Sequence, residues 1–223
     1  MDTVSFIQER LAPIAGKKIL DMGCGHGQLA ATLSRFGAKM SGIDTQDAAV
    51  AAAKERVPDG DFRVASSAAL PFVDKSFDAV IFLNSLHHVP VAEMVTAMEE
   101  ASRVLGSKGH LVVIEPLPEG SFFQAFRDIE DETVVRLHAQ GVITSIQMPG
   151  LSYEGTTTYM RRESFVDFDA FLVRACAADP TRQKVVDKKR EIIREAFERN
   201  ATMEDSKFRL DQPLKADVWS AHA

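Results

Sequence analysis

The fold is decided by one stretch, Lys18-Ile19-Leu20-Asp21-Met22-Gly23-Cys24-Gly25-His26-Gly27-Gln28-Leu29. An apolar run ends in an acid, three glycines follow at alternate positions, and a helical pattern of apolar residues begins at Leu29. This order predicts a strand, a tight turn and a helix. Glycine adopts positive φ without strain and lets a ligand approach the backbone. The N–H groups at the start of the helix point back at the turn, so we expect a ligand site there.

The alternation of strand and helix continues through the first half of the chain. Apolar runs predict strands over 18–22, 39–43, 62–65, 77–83 and 110–114. Helical spacing predicts helices over 4–11, 28–36, 48–56 and 91–105. Such alternation is typical of a parallel sheet covered by helices on both faces. Ligands of these sheets bind outside the carboxyl ends of the strands.

The pattern changes after the fifth strand. We predict one helix over 122–137, with Gly141 as its stop, and a loop over 142–158. Further elements are predicted as a strand over 157–165, helices over 168–176 and 183–200, and a last strand over 208–219. The predicted fold is therefore α/β, a doubly wound, Rossmann-like, mostly parallel seven-stranded sheet with a helical cap inserted after strand five.

We expect residues 1–223 to form a single domain with three parts. The part with the glycine loop is the core, over 17–115, and the resemblance described below implies that it binds a cofactor. A cap or lid for the substrate is expected over 116–165. Helices and a closing strand are expected over 166–223.

Composition narrows the class of protein. The chain has 223 residues, with 32 acidic and 26 basic side chains and a net charge of −6, so nucleic acid is not an expected partner. Lys188-Lys189-Arg190 lies between Asp187 and Glu191, which is typical of a solvated helix face. The two cysteines have neither metal nor disulfide spacing. We find no signal-peptide pattern and no apolar stretch of about 20 residues, and therefore expect a cytoplasmic protein without a membrane span.

The glycine spacing bears on which ligand is bound. A dinucleotide loop reads G-x-G-x-x-G, but here Gly23, Gly25 and Gly27 alternate and Gln28 stands where the third glycine belongs. The phosphate-binding pattern that ends in Gly-Lys-Ser/Thr is absent from the sequence as well. Asp44 closes the second strand, where a carboxylate accepts two hydrogen bonds from a ribose diol.

Four stretches together resemble the class I S-adenosylmethionine-dependent methyltransferases, and most of all the group that contains the quinone and sterol C-methyltransferases. The stretches are Leu20 to Gly27, Ala69-Leu70-Pro71-Phe72 with Ser76-Phe77-Asp78, Ser85-Leu86-His87-His88-Val89, and Arg103-Val104-Leu105 through Gly109-His110-Leu111. The resemblance covers about residues 17–115. It implies S-adenosylmethionine as the cofactor and S-adenosylhomocysteine as its product.

The resemblance also implies roles for individual residues. Asp21 and the loop from Gly23 to Gly27, which leads into Gln28, are expected to hold the methionine portion of the cofactor. The remaining cofactor residues are expected to be Asp44 at the ribose hydroxyls, Thr45 beside the adenine, Ser67 and Ala68 at the adenine edge, and Asn84 under the methionine amino group. One position departs from the family, because Ser66 stands where an acid usually binds the adenine amine.

The candidate catalytic residues are His88 and Glu115. A histidine serves as a general base near pH 7, but a structural role in its loop is an equally open interpretation. Glu115 is either a base or the partner of an arginine such as Arg161. In-line transfer to a small, partly hydrophobic acceptor requires positioning, whereas a base is needed only for an acceptor that loses a proton. No metal is expected.

Other functions stay open at this stage. Some proteins on this scaffold bind the cofactor and perform other chemistry, and a module that senses the cofactor without turnover carries the same loop. A nicotinamide-dependent oxidoreductase is disfavoured by the early third glycine. The sequence does not indicate the oligomeric state or which acceptor atom is methylated.

Overall fold

The computed structural model describes residues 2–177 and 179–222. The helices are α1 (Thr3–Arg10), α2 (Gln28–Ser34), α3 (Asp47–Arg56), α4 (Met94–Val104), α5 (Ser121–Phe126), α6 (Thr133–Ser145), α7 (Phe168–Cys176) and α8 (Gln183–Asn200). The strands are β1 (Lys18–Met22), β2 (Lys39–Asp44), β3 (Asp61–Val64), β4 (Phe77–Leu83), β5 (Leu105–Pro116), β6 (Leu151–Phe165), β7 (Thr202–Glu204) and β8 (Lys207–Ala221). Short 3-10 turns cover Leu86–His88, Val91–Glu93 and Pro180–Arg182.

The strands form one sheet in the order β3-β2-β1-β4-β5-β8-β6, with β7 paired to β8. Pairing is parallel between β1 and β2, β1 and β4, β2 and β3, and β4 and β5. The predicted α/β fold with a mostly parallel, doubly wound sheet is therefore confirmed. The predicted count of seven strands is low by one, because the short β7 pairs antiparallel with β8.

Contacts divide the described residues into two compact units, and the first comprises 2–115, 138–157 and 215–222. Its core includes Leu20, Val80 and Phe82 from the central strands, which are fully buried as the continuous apolar runs require. Trp219, from the end of β8, joins the same core.

The second unit comprises 116–137, 158–177 and 179–214. Its core is rich in phenylalanine and includes Phe122, Phe165, Phe168, Phe171 and Phe197. Aromatic rings pack there at centroid separations such as 5.0 Å between Phe171 and Phe197. The single-domain interpretation, with parts at 17–115, 116–165 and 166–223, stays a prediction.

The predicted helix over 122–137 is wrong, because the structure has two helices, α5 and α6, in this region. The chain leaves α5 after Phe126, and Asp131 accepts a hydrogen bond from the N–H of Thr133 at 3.0 Å at the start of α6. Gly141 lies inside α6 rather than at a stop. Periodicity alone missed this break, since apolar spacing continues across it while the acidic side chains bind locally.

The predicted loop over 142–158 is also wrong in large part. α6 continues to Ser145, and β6 begins at Leu151, six residues earlier than predicted. Gly155, inside β6, has a φ of 127°, and a glycine at this position favours a loop. Pairing with β8 overrides that local preference.

Candidate functional site

The glycine loop between β1 and α2 has one open position between two crowded ones. Gly23, Gly25 and Gly27 have φ of 75°, 50° and 73°, in the left-handed region that favours glycine. A Cβ on Gly23 would lie 2.7 Å from the Cβ of Ser85, and one on Gly27 would lie 3.0 Å from the Cα of Ala53. A Cβ on Gly25 would meet nothing within 4 Å. The loop therefore exposes its backbone at Gly25.

Asp44 holds this loop against the end of β2. Its Oδ2 accepts a hydrogen bond from the N–H of Gly25 at 2.9 Å, and its Oδ1 accepts one from the N–H of Gln46 at 3.0 Å. Each carboxylate oxygen retains a further lone pair for a ligand hydroxyl. Thr45, the next residue, is exposed.

Asp21 is a buried acid without a counter-charge. Asp21 is only 2% exposed, and no hydrogen bond or salt bridge reaches its carboxylate from residues 2–177 or 179–222. Burial raises the pKa of Asp21 to about 7, and the nearby charge of Asp44 adds to the shift. The site is therefore short of positive charge, which a cationic ligand would supply.

The loop after β4 contains two unpartnered polar atoms. Asn84 has a φ of 52°, unusual for a residue other than glycine, and its N–H donates to the Ile114 carbonyl at 2.8 Å. Among the described residues, nothing hydrogen-bonds to its buried Oδ1 or to the buried Oγ of Ser85. Buried polar atoms without partners are rare in proteins and often mark a ligand position.

Glu115 fixes the conformation of this loop. Its Oε1 accepts hydrogen bonds from the N–H groups of Ser85 at 3.0 Å and Leu86 at 2.8 Å, and its Oε2 is bonded to His87 Nδ1. Burial tends to raise the pKa of Glu115, but His87 and the two N–H groups outweigh it and lower that pKa. His88 is exposed, with its ring centroid 4.0 Å from that of His87.

No motif or spacing in the sequence predicts the pairing of His87 with Glu115. The register gives the signal that was available, since Leu83 pairs with Ile114 and so places the residues after both strands at one level. Arg161, the other partner considered for Glu115, lies 3.0 Å from Glu163. The catalytic roles of His88 and Glu115 stay predictions.

The loop with Ser67 and Ala68 begins at Ser66, which is the departure from the family pattern. The Oγ of Ser66 accepts a hydrogen bond from the N–H of Ala68 at 3.1 Å, so the serine shapes its own loop. Ser67 and Ala68 are half-buried. The Ser66 hydroxyl proton stays available to donate to a ligand.

Arg103 and Glu100 on α4 clamp the next part of that loop, and neither was predicted as a site residue. Arg103 donates to the carbonyl groups of Phe72 at 2.9 Å and Leu70 at 3.3 Å, and Glu100 accepts from the N–H of Leu70 at 2.8 Å. Arg103 also binds Glu100 at 2.6 Å. These bonds explain why the Leu70-Pro71-Phe72 and Arg103-Val104-Leu105 motifs occur together.

Gln28 directly follows Gly27 at the end of the glycine loop. It is the exposed first residue of α2 and lines a groove of about 1030 Å³ that continues along Arg35, Lys39 and Arg56. None of the other residues predicted for the cofactor lines this groove.

The parallel register brings most of the predicted residues to one edge of the sheet. Met22 pairs with Ile43 on one side and with Phe82 on the other, so β1, β2 and β4 end at a common level. The residues that follow these ends are the glycine loop, Asp44 with Thr45, and Asn84. An open backbone loop, an uncompensated acid and an unpartnered amide oxygen suit a cationic ligand that also carries hydroxyl groups.

Comparison with known proteins agrees with this chemistry. Residues 20–113 match the family model described as a methyltransferase domain. A demethylmenaquinone methyltransferase of Thermotoga maritima is 32% identical over 114 residues, which are 50% of this chain and 49% of that protein. A ubiquinone biosynthesis O-methyltransferase of Thiobacillus denitrificans is 28% identical over 182 residues, 70% of this chain and 77% of that protein.

The solved structures show the same fold. The YcgJ protein from Bacillus subtilis matches with a TM-score of 0.67 at 18% identity, over 99% of this chain and 98% of that one. The chain spans about half the length of the first curated relatives it matches. Motifs, fold and matches agree that residues 20–113 are similar to the class I S-adenosylmethionine-dependent methyltransferases, in the group related to quinone methylation.

Proposed function

We propose that the protein transfers a methyl group from S-adenosylmethionine to a small, partly hydrophobic molecule by in-line displacement. The observation that carries the proposal is the buried Asp21 carboxylate, which has no cationic partner among the described residues and lies two residues before the glycine loop. A bound sulfonium and ammonium would supply the missing positive charge. S-adenosylhomocysteine would be the product.

Different residues at this edge of the sheet would bind different parts of the cofactor. Asp44 would accept the ribose hydroxyls while it keeps its bond to Gly25, and Thr45, Ser67 and Ala68 would border the adenine. Asn84 would accept a hydrogen bond from the methionine amino group through its unpartnered Oδ1.

The transfer step needs little from the protein beyond alignment. When bound, the cofactor would supply an activated methyl group, whose bond to sulfur would break as the bond to the acceptor forms, with the electron pair returning to sulfur. Any proton on the acceptor leaves to solvent or to a base, for which His88 and Glu115 are the candidates. Glu115 is the weaker of the two, because both of its oxygens already accept hydrogen bonds.

Several features support a small molecule as the acceptor. The relatives are named for quinone methylation, and the net charge of −6 disfavours nucleic acid. No helix in residues 2–177 and 179–222 is long and apolar enough to span a membrane. The cytoplasm stays the predicted location.

Calorimetric titration with S-adenosylhomocysteine tests the proposal. We expect micromolar binding to the wild type, and Asp44→Ala should weaken it by about 1.5–3 kcal/mol, the range for charge-assisted hydrogen bonds. Asp59→Ala is the matched control, because Asp59 is an exposed acid in the same unit. A thermal melt of each variant checks that it is folded.

The outcomes separate the competing functions. Binding of nicotinamide dinucleotide in place of S-adenosylhomocysteine would refute the proposal. Binding without transfer of a labelled methyl group to any small acceptor would indicate a cofactor sensor or other chemistry on the same scaffold.

A further inference from the structure

Three arginines in the second unit are largely buried, and two of them are fully paired. Arg136 donates from Nε and Nη2 to Glu132 and from Nη1 to the Leu117 carbonyl and to Gln212. Arg182 donates from Nε to Glu130, from Nη1 to the Ala175 carbonyl and from Nη2 to Glu132. Every nitrogen of both guanidinium groups therefore has a partner, as burial of a charge requires.

Arg161 on β6 is the exception. Its side chain is 25% exposed, and its Nε lies 3.0 Å from Glu163 Oε1 without hydrogen-bond geometry. Within residues 2–177 and 179–222, no hydrogen bond reaches its Nη atoms either. Glu163 is already engaged, since Arg174 donates to its Oε2 at 2.8 Å and to its Oε1 at 3.2 Å. One carboxylate thus serves two guanidinium groups.

The surroundings of Arg161 have an excess of positive charge. Burial lowers the pKa of Arg161, and Arg174 and Arg136 lower it further, whereas Glu163 opposes the shift. A buried cation with unsatisfied donors destabilises the folded state unless an anion joins it. The cluster is one negative charge short of balance.

The guanidinium groups of Arg161 and Arg174 also lie beside the phenylalanine core of the second unit. The guanidinium carbons of Arg161 and Arg174 lie 5.9 Å and 5.8 Å from the centroid of the Phe122 ring. Phe122 stacks with Phe126 at 6.2 Å and lies 6.4 Å from Phe165. Alternation along β6 places Tyr159 on the same face as Arg161. A ligand at Arg161 would meet a planar guanidinium at the edge of this buried aromatic core.

We propose that Arg161, flanked by Arg174 and Phe122, binds the carboxylate of an aromatic acid. Arginine suits this role because its planar fork matches a carboxylate and donates two parallel hydrogen bonds. The anion site is argued from residues of the second unit alone and does not depend on the proposed function.

The experiment titrates benzoate and 1-naphthoate into the full chain by calorimetry, in a buffer without carboxylate or phosphate. Benzamide and 1-naphthamide are the neutral analogues. The variants are Arg161→Gln and, as a matched control, Arg162→Gln, because Arg162 is the next residue on the opposite face of β6 with a side chain 68% exposed. Arg161→Lys retains the positive charge but lacks the planar guanidinium with its paired donors.

We expect saturable binding of the acids to the wild type and to Arg162→Gln, and much weaker binding of the amides. Arg161→Gln should lose roughly 10- to 100-fold in affinity for the acids, as loss of a charged hydrogen-bond pair requires, and Arg161→Lys should fall between. The melting temperature of Arg161→Gln should not fall, since no hydrogen bond of Arg161 is lost. Equal affinity for acids and amides, undiminished binding to Arg161→Gln, or no saturable binding of either acid would overturn the proposal.

A parallel titration with S-adenosylhomocysteine separates this inference from the proposed function. Arg161→Gln should bind S-adenosylhomocysteine as the wild type does. Acid binding without cofactor binding would remove the methyl-transfer proposal and leave the anion site. Binding of S-adenosylhomocysteine without binding of either acid would remove the anion site and leave the methyl-transfer proposal.

Discussion

At the scale of single residues, Asp21 shows how a binding site costs stability before the ligand arrives. The pKa of Asp21 is about 7 in the folded chain, above its ordinary 3.8, because the carboxyl is buried near Asp44. Between these two values the folded state holds a proton that the unfolded state releases. The free energy of unfolding therefore decreases as pH rises from about 4 to about 7, and the penalty stays in full above pH 7.

Asp21→Asn should remove this dependence. We expect the unliganded variant to be more stable than the wild type at pH 8, by up to about 4 kcal/mol, the equivalent of a pKa raised from 3.8 to about 7. Its stability should also vary less with pH between about 4 and 7. Urea unfolding at several pH values measures both effects.

The same substitution should weaken S-adenosylhomocysteine binding, since the amide no longer attracts the cationic ammonium group. Asp47→Asn, an exposed acid at the start of α3, serves as the control and should change neither quantity. An Asp21→Asn variant that is less stable at pH 8 and still binds normally would contradict this account.

At the scale of elements, the loop after β4 depends on a carboxylate from β5. Glu115→Gln keeps the size of the side chain but replaces an acceptor oxygen with an N–H₂ group that faces donors from the loop. We expect a loss of about 1–3 kcal/mol in unfolding free energy, the cost of leaving a buried polar group unsatisfied. Cofactor affinity should fall as well, because the loop carries Asn84.

Thermal melts and the same titration measure the effect of Glu115→Gln, with the exposed Glu119→Gln as its control. Because the pKa of Glu115 is lowered, its stabilising contribution should persist above its ordinary value of 4.5 and disappear only in more acidic solution. A variant with unchanged stability and cofactor affinity that has lost methyl transfer would instead favour Glu115 as a base.

The elements also show what a sequence specifies locally. β1, β4, α7 and α8 have the predicted bounds, because long apolar runs and strong periodicity need no distant partner. β6 was predicted too short, since its first half has Gly155 and three threonines and is a strand only because β8 lies beside it. Asp44 was predicted at the site, but its bond to Gly25 depends on a turn geometry that no spacing rule contains.

At the scale of the whole molecule, the second unit depends on buried ion pairs as well as on its phenylalanine core. Arg136→Met should remove a guanidinium that joins Glu132, Gln212 and the Leu117 carbonyl. We expect a loss of about 3–5 kcal/mol, because Glu132 would keep a buried charge that has lost a partner. Urea unfolding followed by circular dichroism measures it.

Arg127→Met is the matched control for that variant. Arg127 and Asp131 form a pair at the same spacing along the chain, but both side chains are more than half exposed. Such pairs contribute about 0–1 kcal/mol. Equal losses in the two variants would show that burial of Arg136 has no special importance.

Prediction from the sequence succeeded for the long continuous stretch of the first unit. It was weak for the second unit, which is built from segments separated in the sequence. Four motifs within about 100 residues specify the sheet edge and its ligand chemistry. The paired and unpaired arginines of the second unit come from 130–136, 161–174 and 182, and no periodicity links these segments. Arg161 was named in the sequence only as a possible partner of Glu115, and its lack of a partner is visible only in three dimensions.

The burial of Trp219 in the core of the first unit makes the unfolding of that unit separately observable. It is the one tryptophan of the sequence, and its ring lies 5.2 Å from that of Tyr153 in the same unit. Intrinsic tryptophan fluorescence therefore reports on the unit that holds the glycine loop, whereas circular dichroism at 222 nm sums helices from both. Overlaying the two denaturation curves reveals whether the units melt as one cooperative block or in succession, without any label being attached.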